Sequence, residues 1–475
     1  MLIGSELKKG VVITGGARPW QIFQQDGSGH ASIHVFGTCH RVRQEFELPM
    51  EFKSIPSGTV TVKARIALES SGESVIPWTP CAVTDDASWE ITFPQVPAGG
   101  PYRIETYMEY AGWDGLSSTR GDMVHNIGVG DIFVVAGQSN AAGRAKGPIE
   151  DGPELGIHLL RMSGEWDLAT HPLAETTNSI HCGNFENHNP GHTPWLHFAK
   201  LLKRELGYPI GLVMSAYGGA PLRWWNPQEN GALLDNMLEQ LREYDIHPRA
   251  MLWIQGEAEG YENAAETYLE RFSAFVQATR QGTGVPGLPV FTVQINRCMN
   301  PATEALDRQW GIVRQKQVDA ARTIPGVYVV PSSDVALYDF IHDSAQGNLV
   351  IGERVARCAL SELYGRDLEW RAPEISAAVL TAPDTVRLSF SRIYNWMNPY
   401  DLDVSLLPFD LDDAKGLMHP VSYDVGADSL TLHFARPVSG EAKVHGVWRT
   451  NPGPCTPCDC MRMPILSFYG YPVSR

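Results

Sequence analysis

Between Asp131 and Gly365 the chain repeats one device: a short apolar run, then a stretch with helical periodicity. Few architectures accommodate that repetition. DIFVVAG, IGLVMS, AMLWIQ, PVFTVQIN and VYVVPS read as strands, and the first has no polar residue between Ile132 and Ala136, as expected for a strand buried on both faces. Helices are expected over TPWLHFAKLLKREL, LLDNMLEQL, AAETYLERFSAFVQATR, ALDRQWGIVRQKQVDAART and NLVIGERVARCALSELYG. In the first of these Trp195, Phe198, Ala199, Leu202 and Leu206 share a face, with Thr193 expected as N-cap, Pro194 as first helical residue and Gly207 as the stop. Strand–helix alternation of this kind implies an α/β fold, a parallel sheet flanked by helices.

The flanks have a different period. GTVTVKARIAL sets Val60, Val62, Ala64 and Ile66 against Thr59, Thr61, Lys63 and Arg65, and ASWEITF alternates Trp89, Ile91 and Phe93. TVRLSF and SLTLHF repeat the pattern near the C-terminus. Alternation with Gly/Pro punctuation predicts an N-terminal β-sandwich over 1–125 and a smaller C-terminal β domain over 371–475, around an α/β unit at 126–370.

Composition narrows the function. A formal charge of −16 opposes binding to a phosphate backbone or an anionic membrane face. No apolar run approaches the ~20 residues that cross a bilayer, and MLIGSELKKGVVITGG lacks a secretory pattern, so a cytoplasmic protein is expected. Eight scattered cysteines are too few for a disulfide scaffold.

In an open α/β sheet, ligands bind beyond the carboxyl ends of the strands. Beyond those ends in this chain lie Gln138-Ser139-Asn140, Ala216-Tyr217-Gly218-Gly219, Gln255-Gly256-Glu257, Asn296-Arg297, and then Asp334, Asp339 and His342. These types cover the roles of acyl transfer. Ser139 sits in a small-residue turn that exposes a hydroxyl and aims backbone N–H groups at a developing anion. Asp339, three residues before His342, can hold its imidazole in one tautomer; Asp334 or Asp343 are alternatives. Gly218 or Gly219 and the Gln255 carboxamide are candidate oxyanion donors. Glu257 is read as a brace. Paired with Asp339 it would suit glycoside hydrolysis, but that leaves Ser139 idle.

Gln138, Arg223, Trp224, Trp225 and Arg297 are candidate substrate contacts: aromatic walls for a sugar ring and guanidinium groups for a carboxylate. Trp195 and Trp310 are expected to pack in the core. Cys455, Cys458 and Cys460, with His445 upstream, lack a second ligand pair and read first as free thiols, with a structural zinc site or a redox pair as the alternatives. His181, His188 and His192 interleave with Asn184, Asn187 and Asn189, which suggests a polar, substrate-facing loop rather than a metal centre.

GQSNAAG, SAYGGAPLRWW, WIQGEAEG and DFIHDSAQGNLVIGERVA resemble, in order, the sequence blocks of SGNH-type hydrolases, and within them the sialate O-acetylesterase-like carbohydrate esterases. The resemblance covers the middle ~240 residues. It implies an SGNH-type, flavodoxin-like sheet, Ser139 as nucleophile, His342 as base and Asp339 as its orienting acid. An oxyanion hole of Ser139 N–H, a glycine N–H at 218 or 219 and Gln255 is also implied. No metal or cofactor is implied, and the substrate would be an acetylated carbohydrate, of the sialic acid or plant oligosaccharide type. Two positions depart from the pattern: Ala141 where methionine is frequent, which widens the floor near Ser139, and Asp343 where proline is common. The rival readings are a lipase or thioesterase of the same fold and an inactive carbohydrate-binding protein.

Overall fold

The computed structural model describes residues 10–40, 59–112, 115–180, 185–186, 191–400, 403–453 and 455–475. Cys182, His181, His188, Asn184, Asn187 and Asn189 lie outside them.

The strand β1 (Gly115–Gly137) runs through two regions of the molecule. Its first half pairs antiparallel with Gly99–Gly112, and its second half pairs parallel with two strands of the α/β region. The boundary expected at residue 125 therefore falls inside one strand. Along the chain follow α1 (Ser139–Ala142), β2 (Ile157–Leu160), β3 (Trp166–Leu168), α2 (Trp195–Leu206), β4 (Ile210–Met214), α3 (Ala232–Glu243) and β5 (Ala250–Ile254). Then come α4 (Glu257–Tyr261), α5 (Tyr268–Gly282), β6 (Val290–Val293), α6 (Glu304–Thr323), β7 (Val327–Val330) and α7 (Ala345–Tyr364). The sheet order is β3-β2-β4-β1-β5-β6-β7, parallel except for β3, which turns back on β2. The sheet is thus mixed, and β1 is central.

The absence of polar alternation in DIFVVAG has a direct cause. Phe133 and Val135 pack with Trp195, Phe198, Leu202 and Val355 on one side of the sheet, while Ile132, Val134 and Ala136 pack with Leu233, Met237, Phe272 and Trp310 on the other. Each large aliphatic or aromatic group so buried contributes about 1.5–3 kcal/mol. Helix α2 starts one residue later than its caps suggest: Pro194 occupies the N-cap, and the Thr193 hydroxyl donates instead to Ala141 O at 3.2 Å, tying α2 to the turn after β1. Gly207 ends the helix in the left-handed region, φ 78°.

In the N-terminal region two sheets enclose one core. Val62, Ala64 and Ile66 face inward with Trp89, Ile91 and Phe93, while Thr61, Lys63 and Arg65 face outward, following the period-two reading. In the C-terminal region Val386, Leu388 and Phe390 lie beside Leu430, Leu432 and Phe434 in one sheet and share a core with Phe409, Leu411, Val444 and Phe468 of a second. Among the described residues no helix is long and apolar enough to cross a membrane.

The C-terminal region is fastened to the α/β unit by buried polar groups. Arg314 of α6, with no exposed surface, donates to Ile295 O, Asn296 O, Val447 O and Arg449 O at 2.8–3.0 Å. Asp307 accepts from Thr450 N and Oγ1 at 2.8 and 2.6 Å, and Gln294 exchanges hydrogen bonds with Ser467. Burial pushes the Arg314 pKa down, to about 9, so the guanidinium stays charged at neutral pH with four carbonyl oxygens as its acceptors. Arg314→Met strips those carbonyls of their donor, and the expected loss is about 3 kcal/mol. Thermal unfolding reads it as a clear fall in midpoint; an unchanged midpoint contradicts this account of the junction.

Candidate active site

The carboxyl ends of β4, β1 and β5 bring three loops together. Gly137 ends β1 at φ +123°, and a Cβ there would lie 2.2 Å from Ile254 O, so the chain turns at a position only glycine fits. Gln138 N donates to Ile254 O at 2.8 Å, and Tyr217 N donates to Gly137 O at 3.1 Å. These bonds lock the turn carrying Ser139 to the loops after β5 and β4. Gln138 itself is 4 % exposed, and its Oε1 accepts from Gly256 N and Ala258 N at 3.4 Å, so it braces the turn from within. Ser139 opens α1, whose first hydrogen bonds return to Gln138 O.

The loop after β7 supplies an aspartate–histidine pair. His342 Nδ1 and Asp339 Oδ2 are 2.7 Å apart, and Asp339 Oδ1 accepts from Ile341 N and His342 N at 2.9 and 2.8 Å. Partial burial raises the Asp339 pKa, but the His342 side chain and the two backbone N–H groups outweigh it and hold the carboxyl below its usual range. The alternatives sit elsewhere: Asp334 makes a two-toothed pair with Arg354 at 2.7 Å, and Asp343 turns inward, accepting from Asn296 Nδ2 at 2.7 Å. Asn140 joins this loop to the turn carrying Ser139, accepting from Asp343 N at 3.1 Å and donating to Ile341 O at 3.4 Å.

A model of the carbohydrate esterases described as sialic acid-specific acetylesterase matches residues 129–361. Those residues are a carbohydrate-esterase domain of that family. The chain is accordingly a carboxylic ester hydrolase, sialate O-acetylesterase-like in its matched region. Among solved structures it is similar to XAC1771, a carbohydrate acetylesterase from Xanthomonas citri, with 19 % identity, a TM-score of 0.65, and coverage of 96 % of this chain and 99 % of that one. That likeness is one of fold. A protein from Arabidopsis thaliana is 25 % identical over 49 % of this chain and 98 % of its own, with a TM-score of 0.42. No curated protein is a significant sequence match.

Several residues of the esterase stand differently from their sequence reading. Trp225 has no exposed surface and packs edge-on against Trp253 and Phe275, so it belongs to the core rather than to a substrate wall. Trp224 is partly exposed and packs against Tyr217, with the Arg223 guanidinium 5.8 Å from its ring. Arg223 is paired with Glu262. Arg297 donates to Val335 O at 3.3 Å and Gly453 O at 3.5 Å, which spends its guanidinium on holding loops. Gln255 is fully buried; its Nε2 donates to Glu259 and to Ala220 O, while Oε1 has no partner among the described residues. Gly218 N donates to Glu186 Oε1 at 2.7 Å, and Glu186 is paired with Arg144 at 2.7 Å. Gly219, φ +64°, is exposed at the turn. Trp195 and Trp310 lie in the core, their indole N–H groups on Ala141 O and Asn296 O.

The sequence reading gave no site role to Asn140, Asp151, Glu186 or Glu259. Glu259, wholly buried, receives Leu222 N and the Gln255 amide, and burial pushes its carboxyl up to about 7. Its spacing in GEAEG, two residues after Glu257, was the available signal. Asp151 Oδ2 faces His171 Nε2 at 2.9 Å and His192 Nε2 at 3.0 Å, and its Oδ1 receives Lys200 Nζ at 2.7 Å. These three ligating groups are close enough for a metal ion. Lys200 already balances the carboxylate, however, and Asn348 Nδ2 faces His192 Nδ1 at 3.3 Å, which leaves the His192 proton on Nε2 toward Asp151. The cluster is a hydrogen-bond network that backs the turn carrying Ser139, since His192 N donates to Ala145 O, while His171 Nδ1 has no partner among the described residues. Cys458 and Cys460 lie against different partners, Tyr400 and Asn395.

Asp343 gives the site a pH signature. Burial pushes its carboxyl up to about 7, with Glu257 and Asp339 adding to the rise and the Asn296 hydrogen bond and Arg297 opposing it. An unfolded aspartate titrates near 3.9, so between about pH 4 and 7 the folded chain holds a proton that the unfolded chain has released. Stability from this group is complete below that window and falls as the pH rises through it. Asp343→Asn removes the titration: its thermal midpoint should exceed that of the wild type at pH 8 and converge with it near pH 4. Parallel pH profiles for the two proteins rule this assignment out.

Proposed function

We propose that the protein removes O-acetyl groups from an acetylated carbohydrate by an acyl-enzyme route. In this reading 126–370 is the catalytic unit, flanked by the β regions 1–125 and 371–475. The observation that carries the reading is the 2.7 Å contact between Asp339 Oδ2 and His342 Nδ1, on a loop whose backbone is joined to the residue next to Ser139.

With Nδ1–H given to Asp339, His342 Nε2 is the free base. It takes the Ser139 proton as Oγ attacks the acetyl carbonyl, and the carbonyl oxygen becomes an oxyanion. The donors for that oxygen are the Ser139 and Gly218 N–H groups; the Gln255 amide, bonded to Glu259, backs the Gly218 loop instead. Glu186 Oε1 now holds the Gly218 N–H, so the oxyanion must take the place of that carboxylate oxygen. His342 then passes its proton to the departing sugar hydroxyl, and water, deprotonated by His342, releases acetate and restores Ser139. Trp224 and Tyr217, partly exposed beside Gly218, are where a sugar ring would stack.

Acetate release from a chromogenic acetyl ester and from acetylated sugars tests the proposal. Ser139→Ala should lose at least about a thousand-fold in kcat. Butyryl and longer esters should turn over more slowly than acetyl. Full activity in Ser139→Ala, or preference for long acyl chains, removes it in favour of another nucleophile or of lipase chemistry.

A further inference from the structure

Asn140 takes no part in the acyl-transfer steps, yet its amide is bonded on three sides. The residue is 3 % exposed. Its Oδ1 accepts from Asp343 N at 3.1 Å; its Nδ2 donates to Ile341 O at 3.4 Å and to Glu257 Oε1 at 2.8 Å. Ile341 and Asp343 are the two neighbours of His342 in the chain. One amide, carried by the residue next to Ser139, therefore grips the backbone on both sides of the histidine. Glu257, at the start of α4, is 2 % exposed, and its second oxygen has no hydrogen-bond partner among the described residues. Its position is fixed in turn by Gln138, whose Oε1 takes Gly256 N and Ala258 N. Three loops, after β1, β5 and β7, thus meet at a single side chain.

We propose that Asn140, oriented by Glu257, is the positioning residue that sets the His342 imidazole against Ser139. The inference rests on the reading of those two as base and nucleophile. The donor–acceptor polarity of the amide is what the site requires. Asparagine alone among short side chains carries an acceptor and two donors in one plane. A carboxylate at 140 would still accept from Asp343 N, but it would turn lone pairs toward Ile341 O and the Glu257 carboxylate. An alkyl group would leave the Asp343 N–H, a peptide carbonyl and a buried carboxylate oxygen unpaired. Because Asn140 acts through the base rather than on the substrate, its loss falls on kcat and leaves KM alone. A displacement of the base by about 1 Å is worth about a hundred-fold in rate.

The test is steady-state hydrolysis of a small acetyl ester by the full chain, with thermal unfolding recorded for every variant. Asn140→Ala and Asn140→Asp should each lose about a hundred-fold in kcat, with KM within about two-fold of wild type. Combining Asn140→Asp with Glu257→Gln reverses the donor and the acceptor between the two positions, since the new amide at 257 donates to the new carboxylate at 140. The double variant should regain about ten-fold over Asn140→Asp, a non-additivity that a general loss of folding does not produce. If Asn140→Ala does not fold, the Asp variant and its double partner carry the test. A kcat within two-fold of wild type in Asn140→Asp, a change confined to KM, or a double variant no faster than Asn140→Asp overturns the proposal. Full activity in Ser139→Ala would instead overturn the functional reading beneath it.

Discussion

The site depends on β1 being hydrogen-bonded along both edges in its second half. Parallel pairing with β4 and β5 leaves its backbone no freedom up to Gly137, and side chains from both faces fill two separate cores. The chain must then turn where no Cβ fits, and the next residues are Gln138 and Ser139. The place of Ser139 is fixed by the buried second half of β1 rather than by a surface loop. That origin suits a site in which small displacements are costly.

The remaining groups reach Ser139 by relay. Asn140 reaches the His342 loop, Gln138 reaches α4, and Glu259 with Gln255 holds the loop after β4. Farther out, the C-terminal region touches the same relay: Arg314 holds Asn296 O, and Asn296 holds Asp343. The flanking β region is in this sense part of the frame of the Asp339–His342 loop. Buried carboxylates at 257, 259 and 343 recur along the relay, each with its pKa raised by burial. Such groups are poor sources of stability and good fixers of geometry, because each accepts hydrogen bonds that apolar residues cannot.

The strand–helix order, the inward faces of the flanking strands and the collection of Ser139, Gly218, Gln255, Asp339 and His342 at one sheet edge were legible in the sequence, because periodicity and strand ends are local signals. What was not legible depended on partners far along the chain. Trp224 and Trp225 are adjacent and chemically alike, yet a short helical turn at Leu222–Trp224 sends the second into the core. Arg297 looked like a carboxylate binder, but its acceptors are carbonyls at 335 and 453. The shared strand hid the N-terminal boundary, since a strand that changes sheets shows no break in its pattern. Asn140 was in plain view within GQSN, but its importance lies in bonds to residues 117 to 203 positions away.

The central claim is that Ser139 is the nucleophile and that the Asp339–His342 pair activates it. Reaction of the folded protein with a phosphonate ester, followed by peptide mass analysis, tests it most directly. The account predicts one covalent adduct, on Ser139, forming rapidly in the wild type and at least about a hundred-fold more slowly in His342→Ala. An adduct on another residue, or labelling of Ser139 at the same rate without His342, contradicts it.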